Sequence, residues 1–295
     1  MKDVRGKVAF ITGGGSGVGL GMAKVFTAAG MRVVVADVRQ DHLDAAAREL
    51  TGREIHAIKL DVSDRAALEQ AAVESERVFG KVHIVCNNAG INLFNDIGEA
   101  KYSDWDWVLG VNLGGVINGV QTFVPRIKAH GEGGHIVNTA SMAAFLAGPG
   151  AGIYTCSKFA VRGLTEALRY SLAPHGIGVS VLCPGLVKSA IHESERIRPQ
   201  NLQGSTTSPE FLARLAELHE VGMPPEEVAT KVLRGIQRND LYIFSHSEFK
   251  DELRESFDGV LAALPDDPVD PRRLQFEQTR RQRNREAAQL ADRNG

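Results

Sequence analysis

The chain has 295 residues, 43% of them hydrophobic and 24% charged, with a formal net charge of −2. That composition suits one large domain or two small ones, able to bury a core without disulfides or structural metal. A balance so near neutrality gives no electrostatic reason to expect nucleic acid or a membrane surface as partner. The opening Met1-Lys2-Asp3-Val4-Arg5-Gly6-Lys7 has no apolar stretch of signal-peptide type, and no later run reads as long and charge-free enough to span a bilayer. A cytoplasmic location is expected. None of the three cysteines forms a Cys-x-x-Cys pair. Cys86 and Cys183 lie in apolar, strand-like runs and read as buried thiols, while Cys156 stands between Tyr154 and Lys158.

In chain order, residues 8–11 read as a strand, followed by a glycine turn and an apolar-periodic helix over 19–29. A strand over 32–36 and an alanine-rich helix over 41–50 come next. Further strands are predicted at 56–60, 83–86, 135–139, 178–182 and 241–244, with long helices over 105–130 and 154–172. Strands that are apolar throughout and alternate with helices indicate a parallel sheet covered on both faces. The fold class expected is α/β: a Rossmann-type doubly wound parallel sheet in one domain, residues 1–246. The segment 188–223 is too long for an ordinary connection and reads as a substrate lid, with an apolar stripe of Phe211, Leu212, Leu215 and Leu218. Pro265, Pro268 and Pro271 then mark a linker, and Arg272, Arg273, Arg280, Arg281, Arg283 and Arg285 an Arg-rich tail. Residues 247–295 are thus expected as a helical extension, either solvated or used in subunit contact or in covering the site.

Directly after the first strand stands Thr12-Gly13-Gly14-Gly15-Ser16-Gly17-Val18-Gly19. Gly13, Gly17 and Gly19 let the backbone turn sharply and approach a pyrophosphate, and the helix that follows aims its N-terminal NH groups at the phosphates, with Ser16 and Val18 in the same turn. Asp37 ends the second strand, where a carboxylate accepts from the adenosine ribose hydroxyls and repels a 2′-phosphate. Its neighbour Val38 is not basic, and neither are residues 14–16. Arg39 alone could swing toward a phosphate. NAD is therefore the expected cofactor. Asp61 and Val62 are placed to contact the adenine, and Asn88, Ala89 and Gly90 to close the adenosine side.

Tyr154 and Lys158 sit four residues apart on one helix face. Ser141 ends the strand before them and Asn112 lies in the preceding helix, each on the carboxyl-end side of the sheet. Moving hydride between an alcohol and a ketone needs a proton donor and acceptor. A phenol of pKa about 10 is a weak base, but an ammonium about 4 Å away at an effective dielectric near 20 is worth roughly 4 kcal/mol, enough to lower it by up to about 3 units. Lys158 can also hold the nicotinamide ribose, Ser141 the substrate oxygen, and Asn112 a water that relays protons. No metal is called for.

Those four residues, the Thr-Gly-x-x-x-Gly-x-Gly turn, Asn87-Asn88-Ala89-Gly90 and Pro184-Gly185 together resemble the short-chain dehydrogenase/reductase family, in its compact branch, over roughly residues 5 to 245. The resemblance implies that Pro184, Gly185 and Val187 flank the nicotinamide and that Ser189 holds its carboxamide, a hydroxyl where members often carry Thr. It also implies a homodimer or homotetramer built on helices 105–130 and 154–172. The stretches 105–112, 188–199 and 240–243 are further similar to bacterial Cα-dehydrogenases, which oxidise the benzylic alcohol of lignin-derived β-aryl ethers. Phe94, Phe145, Leu146 and Leu186, with Ser141 and Tyr154, are the expected substrate contacts, and their apolar character points to a bulky, ring-bearing secondary alcohol or ketone. Two alternatives stand beside this one. A 3-oxoacyl-carrier-protein reductase would favour NADP and a basic face, against Asp37; a non-catalytic NAD sensor would have no need of all four polar residues.

Overall fold

The computed structural model describes residues 1–293. The first half runs β1 (Val8–Thr12), α1 (Gly17–Ala28), β2 (Arg32–Asp37), α2 (Gln40–Glu49), β3 (Ile55–Lys59), α3 (Arg65–Phe79) and β4 (Ile84–Asn87). The second runs α4 (Tyr102–Leu109), α5 (Gly115–His130), β5 (Gly134–Thr139), α6 (Gly152–Leu172), β6 (Ile177–Cys183), α7 (Pro209–Glu220), α8 (Pro225–Arg238) and β7 (Tyr242–Phe244), followed by α9 (Lys250–Ala262) and α10 (Pro271–Arg293). The strands pair in parallel in the order β3-β2-β1-β4-β5-β6-β7.

Side-chain alternation along each strand builds two cores. Ala9 and Ile11 of β1, with Val33 and Val35 of β2, meet Met22 and Phe26 of α1 and Val228, Val232 and Ile236 of α8. Val8, Phe10 and Val34 face the other way, onto Leu68 of α3 and Phe123 and Ile127 of α5. Phe10 and Phe123 pack with ring centroids 4.6 Å apart and planes tilted by 44°; burying each such side chain stabilises the fold by about 1.5–3 kcal/mol. The chain leaves β1 toward β2 on one side and enters β4 on the other, which opens a crevice beyond the carboxyl ends of the strands.

The expected helix over 105–130 is interrupted. Between α4 and α5, Gly110–Gly114 forms a π-helical turn in which the Gly115 NH reaches back to the Gly110 carbonyl. The extra residue re-aims the turn that carries Asn112. The run Tyr102–His130 also has the length and apolarity of a membrane span, contrary to the sequence reading, but 56% of its most apolar window is buried inside the protein. Val116, Val120, Phe123 and Ile127 spend that apolarity on the core.

Residues 188–223 form an insertion pinched at its neck, where Lys188 N donates to Met223 O at 3.1 Å and Met223 N to Leu186 O at 2.9 Å. Within it, Arg198 donates to Asp104 of α4 at 2.5 Å, to Leu202 O and to Ser205 O, with its guanidinium 4.8 Å from the Trp107 ring centre. Asp104 is fully buried and also accepts from Lys101 N, Ser205 N and Ser205 Oγ. A buried ion pair satisfied this completely holds the insertion to the body.

Past β7, α9 buries none of its residues. Asp270 accepts from the NH groups of Arg272 and Arg273 and starts α10. The far end of α10 returns to the body: Asn239 Nδ2 donates to Ala291 O at 2.7 Å and Arg169 Nη2 to Asp292 at 2.8 Å. Residues 294 and 295 of the expected extension lie outside the described residues.

Candidate active site

A cavity of about 570 Å³ occupies the crevice and runs from Asp37 at one end to Tyr154 and the 188–223 insertion at the other. Its first half is backbone. Gly13 takes φ +61°, and a Cβ there would lie 2.9 Å from Ala89 Cα; a Cβ on Gly19 would overlap the Gly13 carbonyl oxygen. Bare main chain at the start of α1 is the shape a pyrophosphate needs, so these residues fit a dinucleotide. Thr12 and Asn88 lock the turn. Thr12 Oγ1 accepts from Asn88 N at 2.9 Å and Ala89 N at 3.0 Å, and Asn88 Nδ2 donates to Thr12 O at 3.1 Å. Thr139 Oγ1 in turn donates to Asn88 Oδ1.

Asp37 is nearly buried, and its two oxygens accept from Gly15 N and Arg39 N, each at 3.0 Å. Of the expected cofactor residues, Gly13, Ser16, Gly17, Val18, Asp37, Val38, Asp61, Val62, Asn88, Ala89, Gly90, Tyr154, Lys158, Pro184, Gly185, Val187 and Ser189 all line the cavity. Gly19 does not; it shapes the turn from behind. His42, which faces Asp37 from α2, was missed because helix periodicity gives no sign of which polar face looks back at a strand end.

At the other end, Tyr154 and Lys158 rise from the first turns of α6. Ser141 Oγ donates to Pro184 O at 3.5 Å and accepts from Ala143 N at 3.2 Å, and it lines the cavity together with the Tyr154 phenol. Lys158 Nζ donates to Thr139 O at 3.0 Å and lies 5.3 Å from the Tyr154 ring centre. Burial pushes the Tyr154 phenol above its ordinary value, with the Ser141 hydroxyl pulling the other way. Burial likewise lowers the Lys158 ammonium to about 8. The lowered phenol expected from the sequence is therefore not found here: both groups are desolvated, and the ammonium is turned onto the Thr139 carbonyl.

Asn112 makes its side-chain bonds within the protein. Its amide accepts from Ile91 N at 2.8 Å and donates to Ile91 O and Ser157 Oγ, each at 3.0 Å. Buried off the cavity, it braces the loop following Gly90 against α6. Below it, Asn87 Nδ2 donates to Asn138 Oδ1 at 2.8 Å and Asn138 Nδ2 to Thr165 Oγ1 at 3.0 Å, a buried polar chain that ties β4, β5 and α6 together.

Among the expected substrate contacts, Ser141, Tyr154, Phe94 and Leu186 line the cavity; Phe145 and Leu146 do not. The 3-10 turn Met142–Ala144 carries the chain past the opening and sends Phe145 outward, against Tyr242, Phe244 and Phe257, beneath the Arg162 guanidinium at 3.9 Å. Met142 takes the wall position instead, with Trp107, Ile197, Leu202, His219 and Phe249. Of the insertion's stripe only Leu215 reaches the cavity; Phe211 packs against Phe94 with centroids 5.5 Å apart and planes tilted by 60°.

Residues 7–200 match the family model of the short chain dehydrogenases. The chain belongs to the short-chain dehydrogenase family. A C alpha-dehydrogenase from Sphingobium sp. strain SYK-6 is 43% identical over 276 residues, covering 92% of this chain and 90% of that one. The structure of a short-chain dehydrogenase from Novosphingobium aromaticivorans superposes with TM-score 0.86 at 46% identity, covering 99% of this chain and 100% of that chain. A short-chain dehydrogenase from Burkholderia phymatum, solved in complex with NAD, superposes with TM-score 0.84 at 36% identity over 92% of this chain and 100% of its own. This short-chain dehydrogenase is an oxidoreductase that moves hydride between a nicotinamide cofactor and a secondary alcohol or ketone.

Proposed function

We propose that this short-chain dehydrogenase uses NAD to oxidise a bulky, ring-bearing secondary alcohol of the aryl or benzylic kind, with Tyr154 as general acid and base. The observation that carries the reading is one continuous cavity with the Asp37 carboxylate at one end and Tyr154, Ser141 and Lys158 at the other. A nicotinamide dinucleotide in it supplies the hydride acceptor for oxidation and the donor for reduction. Gly13, Ser16 and Gly17 would hold the pyrophosphate, Asp37 the adenosine ribose, and Lys158 the nicotinamide ribose. Pro184, Gly185, Val187 and Ser189 would flank the nicotinamide.

The phenol oxygen of Tyr154 takes the proton from the carbinol and returns it to the carbonyl in the reverse direction. Ser141 Oγ, on the cavity wall with that phenol, orients the substrate oxygen beside it. Asn112 is a positioning residue that acts through Ile91 and Ser157. With burial holding Tyr154 protonated at neutral pH, the phenol is ready to donate, and alcohol oxidation should speed up as pH rises.

Phe94, Trp107, Met142, Leu202, Leu215 and Phe249 give the substrate end an apolar wall. Asp106 adds negative charge to it, which disfavours anionic substrates. The related C alpha-dehydrogenase supports an aryl carbinol. Exposed Ile117 of α5 and Phe159 and Tyr170 of α6 favour a homo-oligomer through those helices, and three free cysteines suit a reducing, cytoplasmic setting. The test is kcat/KM with NAD for 1-phenylethanol against 2-propanol. A preference of at least about a hundred-fold for the aryl alcohol is expected, a figure set by burying several more apolar groups. Equal values would sink the bulky-substrate reading.

A further inference from the structure

Arg39 is the one guanidinium on the cavity wall near the place an adenosine 2′-phosphate would occupy, and it is already taken. Nη1 donates to Glu193 at 2.9 Å, while Nε and Nη2 donate to Asp41 at 3.1 and 2.5 Å. Glu193 belongs to the 188–223 insertion, 154 residues further along the chain. Arg39 and Glu193 both line the cavity. Their side chains are 20% and 24% exposed, against 66% for Asp41, so the Glu193 pair lies on the sheltered side of the guanidinium, where salt screens it less. The second Glu193 oxygen pairs with Arg196 at 2.9 Å, which fixes the carboxylate further. Burial works against the charge on Glu193, but its pairing with Arg39 keeps the carboxyl below the ordinary range. The charged and titratable groups around Arg39 and Glu193 are Asp37, Asp41, His42, Asp61, His192 and Arg196.

We propose that Glu193 is a specificity-determining residue for the cofactor: it occupies Arg39 and so withholds the guanidinium from a 2′-phosphate. This rests on the NAD reading above. Two carboxylates then exclude the phosphorylated dinucleotide by different routes. Asp37 repels the phosphate directly. Glu193, reaching over from the substrate side, removes the cation that would compensate. A phosphate that captured Arg39 would only exchange one ion pair for another, and would release the Ile191–Ile197 turn that walls the substrate end.

The experiment measures kcat/KM with NAD and with NADP on one aryl alcohol, so that losses common to both cofactors cancel in the ratio. On an Asp37→Ser background, Glu193→Gln and Glu193→Ala should each raise the NADP-to-NAD ratio by roughly ten-fold, the scale of one charge-assisted hydrogen bond. Adding Arg39→Ala should return the ratio to its starting value. In the otherwise wild-type chain, Arg39→Ala should leave NADP use within about two-fold, a small part of that one interaction. A ratio unmoved by either Glu193 variant, an equal fall with both cofactors, or a ten-fold loss of NADP use in the single Arg39→Ala variant would overturn the proposal. The wild-type ratio reports separately on Asp37: a wild type preferring NADP defeats the NAD reading itself, whatever Glu193 does.

Discussion

The two ends of the cavity are held by different kinds of force. The adenosine end is main chain at the tips of β1, β2 and β4, fastened by backbone groups bonded to Thr12, Asn88 and Asp37. The substrate end is mostly side chain, contributed by α4, by the loops carrying Phe94, Met142 and Phe249, and by an insertion that reaches the body through Arg198–Asp104, Arg39–Glu193 and the neck at Met223. A wall of backbone tolerates little change, because each position is set by how closely two chains approach. A wall of side chains hung on a few ion pairs can be recut without disturbing the sheet. The difference teaches where specificity is free to vary in this molecule.

The sharpest contrast is expected at Tyr154. Tyr154→Phe should lower turnover by about 10²–10⁴-fold while cofactor affinity, measured by fluorescence titration, stays within a few-fold. A variant retaining a tenth of wild-type turnover would dismiss the assignment of the proton donor.

Next in size is the Arg198–Asp104 anchor. Breaking a buried pair by removing one partner leaves an uncompensated charge, at a cost of about 3–5 kcal/mol. Arg198→Met should therefore loosen residues 188–223 and raise KM for the alcohol, while the melting of the sheet is little changed. Hydrogen exchange resolved by segment checks this. Uniform loss of protection across β1, β2 and β4 would mean the two ends are not separable.

Smaller, and opposite in sign, is Lys158→Met. The fall from 10.5 to about 8 makes protonated Lys158 unfavourable in the fold by roughly 3 kcal/mol. Removing it also strips Thr139 O of its donor, which costs back about 1 kcal/mol. The variant should lose activity yet gain about 2 kcal/mol of stability. That gain is full below pH 8, where folded and unfolded chains both carry the charge. It fades between pH 8 and 10.5, where the unfolded chain binds more protons than the folded one, and vanishes above. Denaturant melts at pH 7 and pH 10.5 decide it; an equal gain at both would assign the effect to packing.

How far each end was legible follows from the same contrast. The glycine turn, Asp37 and the Tyr154–Lys158 pair are local: spacing within a dozen residues encodes them, and the structure brings them to one cavity. So is the alternation of strands and helices. Phe145 and Leu146 were misplaced because their apolarity serves a contact with Phe257, more than a hundred residues away, and nothing near Ser141 signals the 3-10 turn that diverts them. Met142, Trp107 and His219 went unread for the complementary reason, since only the packed insertion brings them together. The π-helical turn at Asn112 was hidden because helical periodicity continues on either side of it. The charge state of Lys158 depends on burial, which spacing does not carry.

The two chain ends bear on how this protein can be handled. The Met1 ammonium donates to Ile236 O, and Asn239 holds Ala291, so Met1 and the last turn of α10 dock one turn apart at the close of α8. That spot lies at the amino edge of the sheet, across from the crevice. A short Gly/Ser bridge could therefore join Met1 to the end of α10 and let the chain be reopened elsewhere, for instance at the exposed Pro265–Asp270 stretch. A permuted protein of that kind would keep its sheet order and its opening, and would offer a point of attachment to a surface or a second enzyme that leaves the mouth of the cavity clear.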